Sequence, residues 1–586
     1  MKVLGISGLE GAVPFKRAQF PGLDEREYRM TQGMDAAAAL VIDGEVIAAA
    51  EEERFTGKKH TGDFPIHAVN FCLKAAGISI DQIDALAHGF DYFAYRELYR
   101  KDEVSAALYE QVLSRESLLR QVSRSFSRFP EDRVVSVGHH LAHASSAAYT
   151  SGWDECLVVV NDAMGETESL SVFDFHDREL EKICTISAND SIGILYSLVT
   201  LHLGFDFNSD EYKIMGLAPY GDPSIFRSFF EDAVELSDDG TFSIPILKLN
   251  HSRDDRETYS ATRKYLQEHL VPARDPCEPV TSIHKDVAAA LQECLERVVL
   301  HVCSHFASKT GLRNLALAGG VALNCTANGK LMHSGLFDEV YVQPVAGDDG
   351  TALGAALYRA WLAGEYVNKR MPVPLFGPRY SDAEIEAALH RFHDRIEWRR
   401  FESSQSTFDS AARSIADGQV IAWYRGRMEY GPRALGNRSI LGDPGHPEMR
   451  DRINAMVKKR EAFRPFAPAC SLEQASRWFA VDAGEVHPYM ISVVDVRAEM
   501  RTLLPAVTHV NGSARLQTVS AAENADFHAL LLAVGETTGR QMVLNTSFNV
   551  KGQPIVNTPD EAISTFLGTG IDSLFLESYH VTRTAV

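Results

Sequence analysis

Two histidines four residues apart give the clearest chemical signal in the sequence. His139 and His143 occur in GHHLAHASSAAY, directly after an apolar strand predicted at residues 134–137. Residues four apart lie on one face of a helix, so the two imidazoles would point in the same direction. Two imidazoles on one helical face are half of a divalent metal site, while ordinary packing or surface histidines are the alternative.

Carboxylates at two other places could supply the other half of such a site. Asp162 follows the apolar run CLVVVN, and Asp348 and Asp349 precede the small-residue run GTALGAAL. A carboxylate at the carboxyl end of a strand faces the crevice where open α/β sheets bind ligands. Asp349 is equally suited to cap the helix that follows. Two histidines and two aspartates would form an N₂O₂ site for Fe(II), Mn(II) or Zn(II) beside a triphosphate.

A basic stretch stands out from an acidic chain. Residues 424–464 contain ten basic and five acidic residues, a local charge of +5 in a protein of net charge −21. The basic residues lie among glycine, proline and apolar residues in GPRALGNRS and RPFAP rather than along one helical stripe. This arrangement favours a pocket for a small polyanion, because arginine binds phosphate oxygens bidentately. A solvated charged face is the alternative.

Other segments offer groups that could hold a nucleotide. The glycines of LALAGG follow a predicted strand and precede the helix-compatible VALNCTANGKLM, so their N–H groups could face phosphate, although a tight turn explains them equally well. Lys213 in DEYKIMGLAPYG could contact phosphate or be a solvated charge in a turn. Further along lie Arg515 and the strand VLNTSFN, whose polar end residues are Asn545, Thr546 and Ser547.

The elements that must position these residues follow an α/β pattern. KVLGIS predicts a buried strand, and Asp43-Gly44 between two apolar runs predicts a hairpin. The run CLVVV, followed by SLSVFDF and ELEKICTIS around a polar turn at 176–178, predicts a second strand and hairpin. This repetition indicates two related lobes of the actin and sugar-kinase ATPase type. The segment 283–308 predicts a packing helix.

Proline and glycine residues between positions 368 and 382 predict a linker. The predicted domain boundaries are 1–365, a linker at 366–380, and a second domain at 381–586.

Composition excludes several classes of protein. The 586 residues are 45% hydrophobic and 23% charged, as in ordinary globular proteins. The net charge of −21 argues against a broad nucleic-acid or anionic-membrane surface. Eight cysteines without a CxxC pair predict reduced thiols. With no signal-peptide pattern and no long apolar run, we expect a cytoplasmic protein without a membrane span. A homodimer remains compatible with the sequence.

The motifs together resemble the O-carbamoyltransferase family, which includes nodulation-factor, cephem, novobiocin, ansamycin and tobramycin carbamoyltransferases. The segments that carry the resemblance are KVLGIS, DAAAALVIDGEVIAAAEEERFTGKKH, GHHLAHASSA, DEYKIMGLAPYG, AGGVALN, EYGPRALGNRSIL, FRPFAP and VLNTSFN. The resemblance covers nearly the whole chain. It implies an N-terminal lobe pair similar to the tRNA threonylcarbamoyltransferase ATPase, and a C-terminal α/β domain similar to threonylcarbamoyl-AMP synthase, a YrdC-like fold.

The resemblance also implies a two-stage reaction. Carbamoyl phosphate and ATP would form carbamoyl-adenylate in the C-terminal domain, and the carbamoyl group would then pass to an acceptor hydroxyl in the N-terminal domain. The implied metal ligands, for iron(II) or another divalent ion, are His139, His143, Asp162 and Asp348. The residues implied to bind carbamoyl phosphate and ATP, with Mg²⁺ also compatible, are Arg433, Lys458, Arg464, Arg515, Asn545 and Ser547. The predicted nucleotide-binding set is completed by Lys213, Gly319, Gly320, Asn324 and Thr546.

The sequence departs from the family at the acceptor side. The family has a histidine where this chain has Met34, and a thioether cannot take a proton from a hydroxyl. Met34 and Asp35 are therefore the candidate catalytic positions there, beside Lys458 and Arg464 in the C-terminal domain. The family commonly has Asp-Gly-x-Gly in the loop after Asp162. This chain has Ala163 at the first glycine of that motif, which costs one flexible backbone position. The loop from Glu10 to Gln32 is expanded and is either part of an acceptor pocket or a tolerated insertion.

Three functions remain open from the sequence. The leading hypothesis is ATP-dependent carbamoyl transfer to a hydroxyl of a small, antibiotic-type natural product. Transfer to an amine or other stronger nucleophile would explain Met34. The third is a transfer-deficient homologue that binds nucleotide and serves as a regulatory or scaffold subunit. A tRNA-modifying role by fold analogy is disfavoured by the acidic charge.

Overall fold

The computed structural model describes residues 1–461 and 463–584. The chain forms two compact units. The first unit comprises Met1–Glu52 and His60–Met371, and the second comprises Glu53–Lys59 together with the chain from Pro372 onward. The sequence did not indicate that residues 53–59 belong to the second unit.

Two five-stranded sheets form the framework of the first unit. Its strands are β1 (Lys2–Ile6), β2 (Ala37–Ile42), β3 (Glu45–Glu51), β4 (Ala85–His88), β5 (Val134–Ser136), β6 (Cys156–Asn161), β7 (Glu168–His176), β8 (Glu179–Ser187), β9 (Glu235–Leu236), β10 (Phe242–Ser243), β11 (Asn314–Ala318) and β12 (Glu339–Val342). Strands β9 and β10 make a separate small ribbon.

The helices of this part of the chain are α1 (Ala12–Gln19), α2 (Glu53–Thr56), α3 (Ile66–Ala76), α4 (Arg96–Tyr99), α5 (Glu103–Leu108), α6 (Arg115–Ser125), α7 (His139–Ser151), α8 (Ile192–His202), α9 (Glu211–Leu217), α10 (Arg227–Ala233), α11 (Arg253–Thr258), α12 (Ser260–His269), α13 (Ser282–Thr310), α14 (Cys325–Met332) and α15 (Asp349–Leu362). Helix α2 lies in the second unit, and the others lie in the first. Helix α14 begins later than the sequence suggested, because residues 320–323 form a 3₁₀ turn.

The two sheets have the same topology, which confirms the predicted duplication. The strand order is β3-β2-β1-β4-β5 in one sheet and β8-β7-β6-β11-β12 in the other. In each, a hairpin pairs antiparallel with the first strand, and two parallel strands continue on its other side. Apolar runs such as Val3–Ile6 are buried, as parallel strands covered on both faces require.

Both hairpins turn where the sequence predicted. Asp43 and Gly44 have φ values of 51° and 80°, and Asp177 and Arg178 have values of 50° and 69°. Two consecutive positive φ angles match the right-handed twist of the paired strands, which is why a two-residue turn of this kind suits a hairpin.

The second unit has an eight-stranded mixed sheet. Its strands are β13 (Ile396–Arg400), β14 (Ile421–Tyr424), β15 (Arg438–Gly442), β16 (Ala467–Ser471), β17 (Val493–Asp495), β18 (Ser513–Arg515), β19 (Gln517–Val519), β20 (Met542–Ser547), β21 (Ser573–Leu576) and β22 (Tyr579–Arg583). The sheet order is β13-β22-β21-β14-β15-β20-β16-β19, and β17 pairs with β18 separately. The further helices are α16 (Asp382–Arg391), α17 (Ser404–Ala416), α18 (Met449–Ile453), α19 (Ala475–Trp478), α20 (Ala525–Thr538) and α21 (Pro559–Leu567).

This sheet has a core on each face. Along β14, Ile421 and Trp423 pack with residues of α17 and α20, while Ala422 and Tyr424 pack with residues of α16 and α21. Alternating strand residues point to opposite faces, so one apolar strand serves both cores. Across the part of the chain that the structure describes, no helix has the length and apolar character needed to cross a bilayer.

Candidate functional site

The two predicted histidines lie at the start of a buried helix. Helix α7 begins at His139, shortly after β5, and both His139 and His143 are completely buried. Helix α15 crosses α7 so closely that a Cβ on Gly354 would lie 1.7 Å from the carbonyl oxygen of Ala142. This close packing brings the residue before α15, Asp348, to the two imidazoles.

Four side chains converge there, as the sequence predicted for a metal site. The Nε2 atom of His139 lies 3.4 Å from Asp162 Oδ2 and 3.5 Å from Asp348 Oδ1. His143 Nε2 lies 3.8 Å from Asp348 Oδ1 and 3.1 Å from His139 Nε2. One ligand atom from each of the four lies within 4.8 Å of the other three. The Asp348 side chain is 23% exposed, so the cluster opens to solvent on that side.

Neighbouring groups hold His139 in the orientation that a metal ligand needs. Its Nδ1–H donates to the carbonyl oxygen of Gly89 at 3.0 Å, which leaves Nε2 facing the cluster. The ring of Phe90 stacks on the imidazole at 4.1 Å. Glu166 accepts the backbone N–H groups of His139 and Asp91 at 2.8 and 2.7 Å. The sequence analysis did not identify Glu166, although it follows Asp162 in the same polar loop.

The electrostatics of the cluster favour a cation. Burial disfavours a charged His139, but the carboxylates of Asp348 and Asp162 outweigh burial and raise its pKa well above the usual range. Burial alone would raise the pKa of Asp162, but the hydrogen bond from His139 and the nearby histidine charges lower it. Burial and the charge of His139 lower the pKa of His143. One proton is therefore drawn into a buried site with two carboxylates, where a metal ion would supply more positive charge.

The donor set fits a divalent transition metal. Two imidazole nitrogens and two carboxylate oxygens suit Fe(II), Mn(II) or Zn(II), and the histidine Nε2 atoms face the same space as the carboxylates. Asp349, the alternative carboxylate, does not join them: its Oδ1 accepts the N–H of Gly350 at 3.1 Å, and Asp348 rather than Asp349 occupies the helix N-cap position.

The Gly-Gly turn contacts the same cluster. The Gly320 N–H donates to Asp162 Oδ1 at 3.0 Å. Gly319 has φ 88°, and a Cβ there would lie 2.3 Å from the carbonyl oxygen of Asn161, so glycine is required. Asn324 caps α14 by accepting the Ala327 N–H at 3.1 Å. A nucleotide-binding role for these three residues stays a prediction.

The loop after Asp162 packs closely around its remaining glycine. A Cβ on Gly165 would lie 2.9 Å from the ring of His140, so this position needs glycine. Ala163, by contrast, is not among the residues with positive φ, so the substitution of alanine for the usual glycine costs no backbone strain here. The expected loss of one flexible backbone position stays a prediction.

The acceptor-side residues lie next to this loop. Gln32 donates through Nε2 to the carbonyl oxygens of Met164 and Gly165. Two residues later, Met34 is buried and its sulfur lies 3.7 Å from the Asn208 Nδ2 donor. The expanded loop from Glu10 to Gln32 therefore ends in direct contact with the backbone of the metal-site loop.

The structure places two other predicted residues of the first unit in local contacts. Lys213 forms an ion pair with Asp210 at 2.7 Å within one turn and lies over the Phe205 ring at 5.3 Å. Its predicted contact with phosphate remains untested. Asp35 has φ 60° and accepts a hydrogen bond from His60 at 2.7 Å.

In the second unit, the amine of Lys458 is buried among uncharged oxygens. Its Nζ donates to the Ser547 carbonyl oxygen at 2.6 Å and Oγ at 3.2 Å, and to the Asn549 carbonyl oxygen at 3.1 Å and Oδ1 at 2.7 Å. Burial, and then the charges of Arg460, Arg464 and Lys59, hold the pKa of Lys458 well below its usual value. A positive charge in such a place is stabilised when an anion binds beside it.

Hydrogen bonds of Asn545 and Gln517 link the segments that carry other predicted residues of this unit. Asn545 donates to the carbonyl oxygen of Ala434 at 3.2 Å and to Gln517 Oε1 at 2.9 Å, which joins β20 to the loop that carries Arg433. Gln517 lies two residues after Arg515, and its Nε2 donates to the Leu435 carbonyl oxygen at 3.0 Å. Thr546 and Ser547 end β20 half-buried. Arg464 lies 3.8 Å from Glu461.

A carboxylate that was not predicted from the sequence holds the backbone of the loop that contains Arg433, called the arginine loop below. Glu429 is buried, and its Oε1 accepts the backbone N–H groups of Leu435, Asn437 and Arg438 at 2.8, 2.9 and 3.1 Å. The motif EYGPRALGNR begins at this glutamate. An acidic residue at the start of a glycine-containing loop was therefore the signal in the sequence that could have identified it.

The basic stretch is not one pocket. Arg438 is fully buried, donates to four backbone carbonyl oxygens and packs over the Tyr424 ring at 3.6 Å. Arg425 pairs with Asp526 at 2.7 Å, and Arg427 donates to the carbonyl oxygens of Phe376 and Gly377. These arginines support the fold, which corrects the interpretation of the whole +5 stretch as a ligand site.

Comparison with known proteins identifies the family. Residues 31–357 match the carbamoyltransferase N-terminus model, and residues 412–583 match the carbamoyltransferase C-terminus model. The nodulation protein NolNO of Sinorhizobium fredii is 41% identical over 94% of this chain and 79% of its own length. The 3'-hydroxymethylcephem-O-carbamoyltransferase of Streptomyces clavuligerus is 36% identical over 42% of this chain and 45% of its own.

One solved structure illustrates how distant the structural matches are. Component A of (R)-2-hydroxyglutaryl-CoA dehydratase from Acidaminococcus fermentans aligns with 62% of this chain and 99% of its own, at 13% identity and a TM-score of 0.29. The family models match more than half of the chain, and the long relative exceeds 40% identity over nearly all of it. The chain therefore belongs to the O-carbamoyltransferase family, and it is a carbamoyltransferase.

Proposed function

We propose that this carbamoyltransferase is ATP-dependent and forms carbamoyl-adenylate from carbamoyl phosphate and ATP in its second unit. The observation that carries the proposal is Lys458. Among residues 1–461 and 463–584, its four hydrogen-bond acceptors are all uncharged oxygens, so the buried amine lacks a carboxylate partner. Phosphate groups are the natural anions for such a site.

The predicted ligand-binding residues of the second unit have separate tasks in the proposed adenylation. Lys458 and Arg464 stabilise negative charge that develops on phosphate oxygens as pyrophosphate leaves. Arg433 and Arg515 orient the carbamoyl phosphate, because guanidinium groups bind phosphate bidentately. Asn545 and Ser547, with Thr546 between them, offer amide and hydroxyl groups to the carbamoyl group. This stage consumes one water molecule, which releases phosphate from carbamoyl phosphate to leave carbamate. The carbamate oxygen then attacks the α-phosphorus of ATP, and the products are carbamoyl-adenylate, phosphate and pyrophosphate.

The second stage would take place at the histidine–aspartate cluster of the first unit. We propose that His139, His143, Asp162 and Asp348 hold iron(II) or another divalent ion, which when bound supplies a Lewis acid for the carbamoyl carbonyl oxygen. The Gly320 N–H fixes the orientation of Asp162 by donating to it. Gly319 and Asn324 hold the turn beside it, and Lys213 remains the proposed phosphate contact of this unit. Mg²⁺ would accompany the ATP triphosphate.

We also propose the fold types that the resemblance implied. The duplicated sheet topology of the first unit supports an actin-like ATPase framework of the tRNA threonylcarbamoyltransferase type. The eight-stranded mixed sheet supports a YrdC-like second domain. Residues 1–365, 366–380 and 381–586 remain the proposed domain boundaries, with residues 53–59 added to the second domain.

The proposed acceptor is a hydroxyl group of a small natural product. The name of the cephem relative specifies O-carbamoylation of a hydroxymethyl group, which supports a hydroxyl here. Transfer to an amine is the second candidate, because Met34 removes the base expected at that position. A transfer-deficient nucleotide-binding homologue is the third.

Pyrophosphate release tests the proposal directly. The full-length protein mixed with ATP and carbamoyl phosphate, without acceptor, should release pyrophosphate only when both are present. Substitution of inorganic phosphate for carbamoyl phosphate provides the control. ATP binding by calorimetry without any pyrophosphate release would refute adenylation and favour the nucleotide-binding homologue.

A further inference from the structure

We propose that His60 is the catalytic base for the acceptor and replaces the histidine that is missing at position 34. The inference deepens the proposed function and rests on it, since it concerns the second, transfer stage. It is carried by a hydrogen-bonded row of three side chains, Asp35, His60 and Ser209, which come from three separate segments of the first unit.

The geometry of the row defines the state of the imidazole. His60 Nδ1 lies 2.7 Å from Asp35 Oδ1, and His60 Nε2 lies 3.3 Å from Ser209 Oγ. A carboxylate can only accept, so Nδ1 carries a proton, and in the neutral imidazole Nε2 has its lone pair toward the hydroxyl. An aspartate that fixes the tautomer of a histidine facing a hydroxyl is the arrangement by which several hydrolases activate oxygen nucleophiles.

Backbone contacts hold the row in place at some conformational cost. Asp35 and His60 both have positive φ, 60° and 55°, which is uncommon for residues other than glycine. The Ala36 N–H donates to the Thr61 carbonyl oxygen at 2.8 Å, and the Ser7 hydroxyl donates to the Asp35 carbonyl oxygen at 3.2 Å. Two neighbouring residues are thus held in left-handed conformations that point their side chains at each other.

The row lies where the acceptor is expected. Met34 precedes Asp35, and its sulfur contacts Asn208, the residue before Ser209. Gln32, two residues before Met34, contacts the backbone of the loop that follows Asp162. The His60 side chain is 19% exposed, so a solvent molecule or an acceptor can reach it.

The proposed step transfers one proton and replaces the carbon–oxygen bond to AMP by a carbon–oxygen bond to the acceptor. Nε2 of His60 takes the proton of the acceptor hydroxyl as its oxygen attacks the carbamoyl carbon. The bond between that carbon and the AMP phosphate oxygen breaks, and AMP leaves with the electron pair. The products are the carbamate ester and AMP, and the imidazolium returns its proton to solvent. Asp35 acts as a positioning residue, because it holds the tautomer and stabilises the imidazolium. In the resting protein the Ser209 hydroxyl occupies the place of the acceptor hydroxyl.

The test compares two small nucleophiles in the full-length protein supplied with ATP and carbamoyl phosphate. Methanol needs a base to attack, whereas hydroxylamine is strongly nucleophilic at neutral pH without one. His60→Gly suits the backbone, since glycine accepts φ 55° without strain. We expect it to lower methyl carbamate formation about 10²- to 10⁴-fold. Hydroxylamine carbamoylation and pyrophosphate release should stay near the wild-type rates, and added imidazole should restore methanol transfer.

A histidine far from the row in sequence serves as the control. His176→Gln changes an exposed hairpin histidine of the same unit and should leave methanol transfer unchanged. Asp35→Asn should lower methanol transfer and spare hydroxylamine. The proposal is overturned if His60→Gly transfers to methanol at the wild-type rate, or if both nucleophiles are lost together and imidazole restores neither. A wild-type protein that releases no pyrophosphate would instead refute the proposed adenylation.

Discussion

The Nε2 atoms of His139 and His143 lie 3.1 Å apart, and both rings are completely buried. Two nitrogens at this distance either share a proton or face a common ligand. The hydrogen bond from His139 Nδ1 to the Gly89 carbonyl oxygen directs Nε2 of His139 inward. With Asp162 and Asp348 on the same side, a common cation explains the arrangement best.

We therefore expect the purified protein to bind a stoichiometric divalent metal. His143→Ala should weaken binding by at least about 10-fold, because it removes one of four donors. Anaerobic titration with Fe(II) or Mn(II), with elemental analysis of the purified protein, measures this without reference to activity. His176→Ala should retain the wild-type metal content. Full metal content in His143→Ala would contradict the assignment.

Lys458→Met should lower pyrophosphate release at least about 100-fold, because the charge beside the leaving phosphate groups is lost. Methionine fills a similar volume, so the fold should persist. Lys551→Met, an exposed lysine of the same unit, is the matched control.

The low pKa of Lys458 gives a second measurement of the same residue. Anion binding raises the pKa of a buried lysine, so binding of carbamoyl phosphate should be accompanied by proton uptake. Calorimetry in buffers of different ionisation enthalpy measures the uptake, which should vanish in Lys458→Met. Equal proton uptake in the variant would show that another group titrates.

Glu429 should be the structural support of the arginine loop. Glu429→Ala leaves three buried N–H groups without their acceptor and should cost about 3 kcal/mol of unfolding free energy. Glu429→Gln keeps one acceptor oxygen and should cost less. Since Arg433 lies in this loop, we expect the KM for carbamoyl phosphate to rise in both variants. Denaturant unfolding and steady-state kinetics check the pair, and an unchanged KM in Glu429→Ala would separate the loop from substrate binding.

Lys16, in the expanded N-terminal loop, should make the free energy of unfolding vary with pH in the alkaline range. Burial lowers the pKa of Lys16 to about 8, and its Nζ donates to the carbonyl oxygens of Met30 and Glu257. Between pH 8 and the unfolded value of 10.5, the unfolded chain binds more protons than the folded chain, so stability rises with pH. The rise should reach about 3 kcal/mol relative to Lys16→Met. Parallel pH dependence of the two proteins in denaturant unfolding would contradict this account.

Met34→His tests the departure from the family at the acceptor side. If the two positions can supply the same base, Met34→His in the His60→Gly background should raise methanol transfer at least about 10-fold over His60→Gly alone. In the wild-type background we expect little change, because His60 already serves. Product analysis by mass spectrometry measures both, and an unchanged double variant would mean that position 34 does not reach the acceptor.

Local patterns were sufficient to predict the framework of the first unit. The Asp43-Gly44 hairpin, the strand ending at Asn161 and the helix beginning at His139 follow from residue spacing alone. The four candidate metal ligands could be singled out because each follows a recognisable strand end or precedes a helix.

Side-chain partners over long sequence distances could not be predicted. Arg438 looked like an anion ligand, but its guanidinium satisfies carbonyl oxygens as far away as Pro378. Asp349 and Asp348 are adjacent, and only the crossing of α7 and α15 decides which one faces the histidines. The row of Asp35, His60 and Ser209 unites residues up to 174 positions apart through loops without periodicity.

The assignment of Glu53–Lys59 to the second unit has a consequence for synthesis on the ribosome. This segment leaves the ribosome about 300 residues before Pro372, where the rest of the second unit begins. At about 5–20 residues per second, it waits about 15–60 s for the rest of the chain that forms the second unit. While the first unit folds, it must leave this segment available to the second unit. The second unit cannot complete its fold until the whole first unit has been synthesised. A C-terminal fragment expressed alone would lack part of its own core chain, and adding residues 53–59 as a peptide should improve its solubility.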